Sequence, residues 1–182
     1  MPKPSITKAS ALLILLIEQY KIPGYTLTLL EVQKLAYFLQ EMGEPLRLHY
    51  EKYKYGPYAE NLNHVLIRLD GHFIRGYGDR NRFSELELTE DAAKTAQAFL
   101  DEKGDRESID RLKQVQDFIR GFESPYGMEL LSSVHWATIH GNVPLNQQKA
   151  IVTYIQEWNE RKRSLFKENH ILKTIEQCKT FI

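Results

Sequence analysis

Cysteine is nearly missing from this chain: Cys178 is the single one. An internal disulfide and a thiolate metal cluster are thereby excluded, which fits a reducing compartment. Charge of one sign is missing as well. Lys plus Arg and Asp plus Glu both number 24, giving a formal net charge of zero, so the chain is not built mainly to hold duplex phosphates by counterion release. Long apolar runs are also lacking. Ala11–Ile17 (ALLILLI) falls far short of the ~20 residues that span a bilayer, and Glu18, Gln19 and Tyr20 stand where a signal peptide would carry small residues. No membrane association is expected, and the chain reads as cytoplasmic. No Gly-rich phosphate loop, GxSxG elbow, HExxH or CxxC occurs, so the chain is expected to be no enzyme and to need no cofactor and no metal.

What is present is helical periodicity. The 182 residues suffice for one self-supporting core. Residues 1–7, with two prolines, read as a linker, and 8–182 as one domain with a first part, 8–103, and a helical second part, 104–182. A buried helix is expected over about Lys8–Tyr20, ended by Pro23-Gly24. Thr28 with Glu31 forms a capping-box pattern ahead of Leu29, Val32, Leu35, Ala36 and Leu39, and Gly43 closes that helix. Leu46, Leu48 and Tyr50 alternate with polar residues as a short strand would, Tyr55-Gly56-Pro57 is a turn, and a third helix follows from Tyr58 to Leu69. Residues 72–75 and 84–88 pair as a wing around a polar loop. Helices are then expected over Glu90–Lys103, Arg106–Phe122, Gly127–His140, Leu145–Arg163 and Phe166–Phe181. The fold class is therefore mainly α, a multi-helix domain with a small winged-helix-like β element.

The histidines make poor metal sites. His135 and His140, five apart on a helix, point in different directions, and His64 with His72 and Asp70 could meet only if the chain folds back sharply. Binding chemistry is richer. Tyr50, Tyr53, Tyr55 and Tyr58 crowd one loop, where a mere connector would carry Ser, Asp or Lys, and tyrosine combines a large apolar ring with a hydroxyl. Lys52, Lys54, Arg75, Arg80 and Arg82 add donors, and Glu51, Glu60 and Asp79 supply the opposite charge. These rings either pack beneath the wing or face a partner. The element order matches a winged helix-turn-helix, yet Glu60 sits at the start of the third helix, where a recognition helix would be basic. Protein recognition is the more economical reading, and a winged-helix nucleic-acid-binding regulator is the alternative.

The stretches VQKLAYFLQEMGEPLRL, YKYGPYAENLNHVL and GHFIRGYGD resemble the C-terminal toxin-binding domain of DarG antitoxins, closely over Leu29 to Asp79 and by helical order beyond. The pattern QKLxYF followed by YGP is more distantly similar to Panacea-type antitoxin domains. The resemblance implies an antitoxin domain of a toxin–antitoxin system that neutralises a DarT-type DNA ADP-ribosyltransferase by stoichiometric obstruction of its DNA-binding surface. It implies a cognate toxin as partner, with no direct nucleic acid, and an upstream macrodomain in a longer native chain. Obstruction by DNA mimicry would set Glu51, Glu60, Asp79, Glu85 and Glu87 in place of phosphates and tyrosines in place of bases. The candidate partner-binding residues are Glu51, Tyr53, Lys54, Tyr55, Tyr58, Glu60, Asn61, His64, Arg75, Tyr77 and Asp79.

Overall fold

The structure, a computed structural model, describes residues 2–20, 22–78 and 81–182. It is mainly α. The first half runs α1 (Lys8–Gln19), α2 (Leu29–Glu41), β1 (Tyr50–Tyr53), β2 (Gly56–Ala59), α3 (Leu62–Leu69), β3 (Ile74–Arg75), β4 (Glu87–Leu88) and α4 (Ala92–Lys103). The second half is α5 (Arg106–Ile119), α6 (Pro125–Ile139), α7 (Gln148–Trp158), α8 (Glu160–Leu165) and α9 (Glu168–Phe181). Three helices form the centre, because their sequences leave no broad polar face. In α1 every residue from Ser10 to Ile17 is buried, in α2 every residue from Leu29 to Leu39, and in α6 every residue from Gly127 to His135. The capping box expected at Thr28 and Glu31 is formed, and Gly43 follows α2 at φ 110°. α1 packs on α4 and α5, and α2 on α6, which also meets α9 and β2.

The β element differs from expectation. No strand forms over Leu46–Leu48. Both backbone groups of Leu48 bond to the Gln40 side chain instead, Leu48 N–H donating to Oε1 at 2.8 Å and Nε2 donating to Leu48 O at 2.9 Å, so one amide takes the place of a neighbouring strand. The strands lie further on, as a hairpin of β1 and β2 with Tyr50 opposite Ala59 and Tyr53 opposite Gly56. Helix α3 accordingly starts at Leu62 rather than Tyr58. The wing shrinks to two pairs, Ile74 with Leu88 and Arg75 with Glu87. The segment before β4 is used elsewhere: Leu29 N–H donates to Ser84 O and Leu30 N–H to Arg82 O, both at 2.9 Å, which satisfies two otherwise orphan donors of the first turn of α2 and carries Arg82 and Phe83 over that end of the helix.

The helix expected over Leu145–Arg163 is two. Asn159, extended at φ −163° and ψ 169°, separates α7 from α8. Its Oδ1 accepts from Lys162 N–H at 2.8 Å and caps α8, while its Nδ2 donates to Lys54 O at 3.1 Å. Beside it Trp158 Nε1 donates to Tyr53 O at 2.8 Å. The break therefore docks the hairpin on the C-terminal helices. No helix among the described residues is long and apolar enough to cross a membrane.

These roles separate by substitution. Asn159→Ala removes cap and hairpin bond together and is expected to lower stability by about 1 kcal/mol in urea denaturation. Asn159→Asp keeps the cap and loses only the donor to Lys54, so it should retain most of the stability yet speed amide exchange in β1 and β2. Equal exchange in Asn159→Asp and wild type would refute the docking role.

Candidate functional site

Beneath the hairpin turn lies a buried cluster of charge. Gly56 sits at φ 97°, and a Cβ there would stand 3.1 Å from Ser133 Oγ and 3.3 Å from Ser132 Oγ, so only glycine lets the turn approach α6 this closely. The next carbonyl, Pro57 O, accepts from Lys34 Nζ at 2.6 Å. Lys34 is buried in α2; burial, and then the nearby charge of Lys162, bring its ammonium down to about 7 against the pull of Glu129. Glu129, buried in α6, accepts from Arg161 Nη1 on both oxygens, at 2.6 and 2.7 Å, and from Lys162 Nζ at 3.1 Å. Burial lowers Lys162 to about 8, offset by Glu129. Arg161 and Lys162 both lie in the first turn of α8, which Asn159 caps.

Above this base opens a cleft of about 260 Å³ between the start of α2, the hairpin turn and Arg82. Its floor is Leu29, Leu30, Gln33 and Lys34, and its rim carries Tyr53, Lys54, Tyr55, Tyr58 and Arg82. No carboxylate is among these described lining residues. The ring of Tyr55 is the hub: the guanidinium carbon of Arg82 lies 3.9 Å from its centroid and that of Arg161 4.5 Å, with Lys54 Nζ at 5.4 Å. Phe83, exposed, meets the same ring edge-on at 6.4 Å, and Tyr53 packs edge-on against Tyr58 at 5.3 Å. Cations near aromatic faces at these distances are attracted by the ring quadrupole.

The structure puts the expected residues in different places. Tyr53, Lys54, Tyr55 and Tyr58 come together at the cleft. Glu51 and Glu60 are exposed on the hairpin and its exit, Glu60 accepting from the Tyr58 hydroxyl at 2.8 Å, and His64 and Arg75 are exposed elsewhere. Asn61 is a brace, accepting from His49 N–H at 3.0 Å and donating to Arg47 O at 3.0 Å. Tyr77 is corrected: it is buried and donates its hydroxyl to Asn63 Oδ1 at 2.6 Å, so it presents no ring to a partner. Asp79 lies outside the described residues, as does Arg80. Sequence reasoning missed Lys34, Glu129, Arg161 and Lys162. The signal for the first two was present, since Lys34 and Glu129 fall within helices whose apolar residues leave no wide polar face. Among the described residues no group of His, Cys, Asp and Glu could hold a metal. His135 instead meets the Tyr37 hydroxyl at 2.7 Å and is lowered by burial to about 4.

No family model matches the chain. A protein of Thermus aquaticus named DNA ADP-ribosyl glycohydrolase is 43% identical over 171 residues, covering 93% of this chain and 46% of its own length. Proteins of the same name from Mycobacterium bovis and Mycobacterium tuberculosis are each 33% identical over 148 residues, 78% of this chain and 41% of theirs. The chain thus spans less than half the length of these curated relatives. Their name is that of an enzyme, and the substrate in it is a nucleic acid. This finding overturns the expected identity as a DarG toxin-binding domain and the expected antitoxin function, together with its regulator alternative. It equally overturns the expectation of no enzyme and that of a toxin partner without nucleic acid; of the expected themes, ADP-ribosylation is the one the relatives share. Part of the physical reason is plain: a net charge of zero describes the whole chain, not a cleft whose described lining residues include cations and no carboxylate.

The buried amine of Lys34 leaves a mark on stability. Its folded value near 7 lies below its ordinary 10.5, so between these limits the unfolded chain binds more protons and stability rises with pH. Below about 7 the full cost of charging a buried amine is felt. Lys34→Met abolishes this contribution, so between pH 6 and pH 9, a window set by the printed value of about 7, the urea midpoint of wild type should climb more steeply than that of the variant. Parallel profiles would show that Lys34 stays charged in the fold.

Proposed function

We propose that this chain is the strand-holding portion of a DNA ADP-ribosyl glycohydrolase. The observation that carries the reading is the 43% identity across 93% of the chain to a protein of that name. Chemistry at a nucleobase requires the base to leave its stack, and proteins that hold such bases do so with aromatic faces and flanking donors. The cleft supplies both: the rings of Tyr53, Tyr55 and Tyr58, and the cations Lys54 and Arg82. Residues 8–182 act as one unit in this reading, because the part from 8 to 103 gives the rim and the part from 104 to 182 gives Glu129, Arg161 and Lys162, which support it. The protein works in the cytoplasm, in keeping with its lone buried cysteine.

Two measurements on an oligonucleotide carrying an ADP-ribosylated base test the reading: release of ADP-ribose, and fluorescence anisotropy as salt is raised. Binding should weaken with salt, log K falling with log salt by about 0.7 for each single-strand phosphate contacted. If the chain neither binds the modified oligonucleotide nor promotes release of ADP-ribose, the reading is wrong.

A further inference from the structure

We propose that the cleft over α2 is a single-nucleotide subsite, in which a base stacks on the Tyr55 ring while its phosphate is held by Lys54 and Arg82. This rests on the function proposed above and gives it a place and a ligand chemistry. Three observations support it.

The first is sign. The lining holds the exposed cations Lys54 and Arg82 and, among the described residues, no carboxylate; Glu60 accepts from the Tyr58 hydroxyl at the rim but does not line the space. A ligand with an anionic group is therefore favoured over a neutral or cationic one. The second is size. At about 260 Å³ the space falls below the roughly 300–1,000 Å³ typical of sites for drug-sized ligands, so it suits one base with its phosphate rather than a whole ADP-ribose with its second ribose and second phosphate.

The third is preorganisation. Tyr55 stands in a turn held on both sides, by Lys34 Nζ to Pro57 O and by Trp158 Nε1 to Tyr53 O, and Arg161 is held against the ring by two bonds to the buried Glu129. Arg161 is thus occupied. Arg82 is different: its side chain is exposed and its guanidinium lies 3.9 Å from the ring centroid, in the position a stacked base would take. Its backbone carbonyl is tied to Leu30 N–H, so the side chain can swing while its root stays in place. Arrival of a base displaces the guanidinium from the ring and delivers it to the phosphate. Stacking and charge neutralisation are then coupled through one residue.

The test uses fluorescein-labelled oligo(dT), chosen because it forms no duplex, with circular dichroism to confirm folding of each variant. Tyr55→Ala should weaken binding about ten-fold or more, and Tyr55→Phe should stay within about two-fold of wild type. Arg82→Ala should reduce the magnitude of the salt slope by about 0.7, and it should bind thymidine, which has no phosphate, at least as well as wild type because the ring is uncovered. Unlabelled dTMP should compete in a Tyr55-dependent way and ADP-ribose only weakly; ADP-ribose that competes better than dTMP through Tyr55 would overturn the single-nucleotide subsite. Oligo(dT) binding that is identical in wild type and Tyr55→Ala overturns the subsite while leaving the broader function standing. Absence of all oligonucleotide and ADP-ribose binding also overturns it, and release of ADP-ribose in the assay above then decides the broader function separately.

Discussion

Burial of α2 on every side is the constraint on which the remaining structure depends. A polar group shut away from water costs several kcal/mol unless it is paired, and α2 places Glu31, Gln33 and Lys34 in that position. Glu31 is answered by one stretch of chain, and Gln33 and Lys34 by another, β2. Glu31 takes the Thr28 backbone and hydroxyl and the hydroxyls of Tyr25 and Tyr20. Gln33 clasps both backbone groups of Ala59, and Lys34 reaches Pro57 O. About two turns beyond Gln33, Gln40 holds Leu48. The loops around α2 are thus positioned by the demands of its own polar side chains, and the hairpin that carries Tyr55 lies where Gln33 and Lys34 require it.

This explains how much could be read in advance. Helices with capping residues and apolar periodicity were legible, as were the capping box at Thr28 and the stop at Gly43. The hairpin was not, because alternation at Leu46, Leu48 and Tyr50 looks like a strand whether its partner is a strand or a glutamine side chain. The division of α7 from α8 rests on Asn159, and an asparagine inside an amphipathic run signals a cap only when something needs its other end, here Lys54 O. The tyrosines of the hairpin come together at the cleft, yet Tyr77 turns inward to Asn63. Glu129, Arg161 and Lys162 meet only through tertiary packing, so no local pattern joins them.

Electrostatics are arranged by depth. Near the hairpin, one buried carboxylate, Glu129, serves Arg161 and Lys162, while Lys34 leans on a carbonyl dipole. Arg82, Lys54 and Arg161 gather around Tyr55, and Glu129 balances Arg161 and Lys162 from beneath. A neutral protein can in this way present a local positive field, which steers anionic ligands even though the net charge suggests indifference.

The bonds that seat the hairpin reach far along the chain: Trp158 to Tyr53 and Asn159 to Lys54 each span 105 residues. During synthesis the amino-terminal half leaves the ribosome first, at roughly 5–20 residues per second, so the hairpin waits roughly 5–20 s for its anchors. For that interval its aromatic tip is made but unmoored. The aromatic tip is consequently seated only after Trp158 and Asn159 have been made, 105 residues beyond the hairpin.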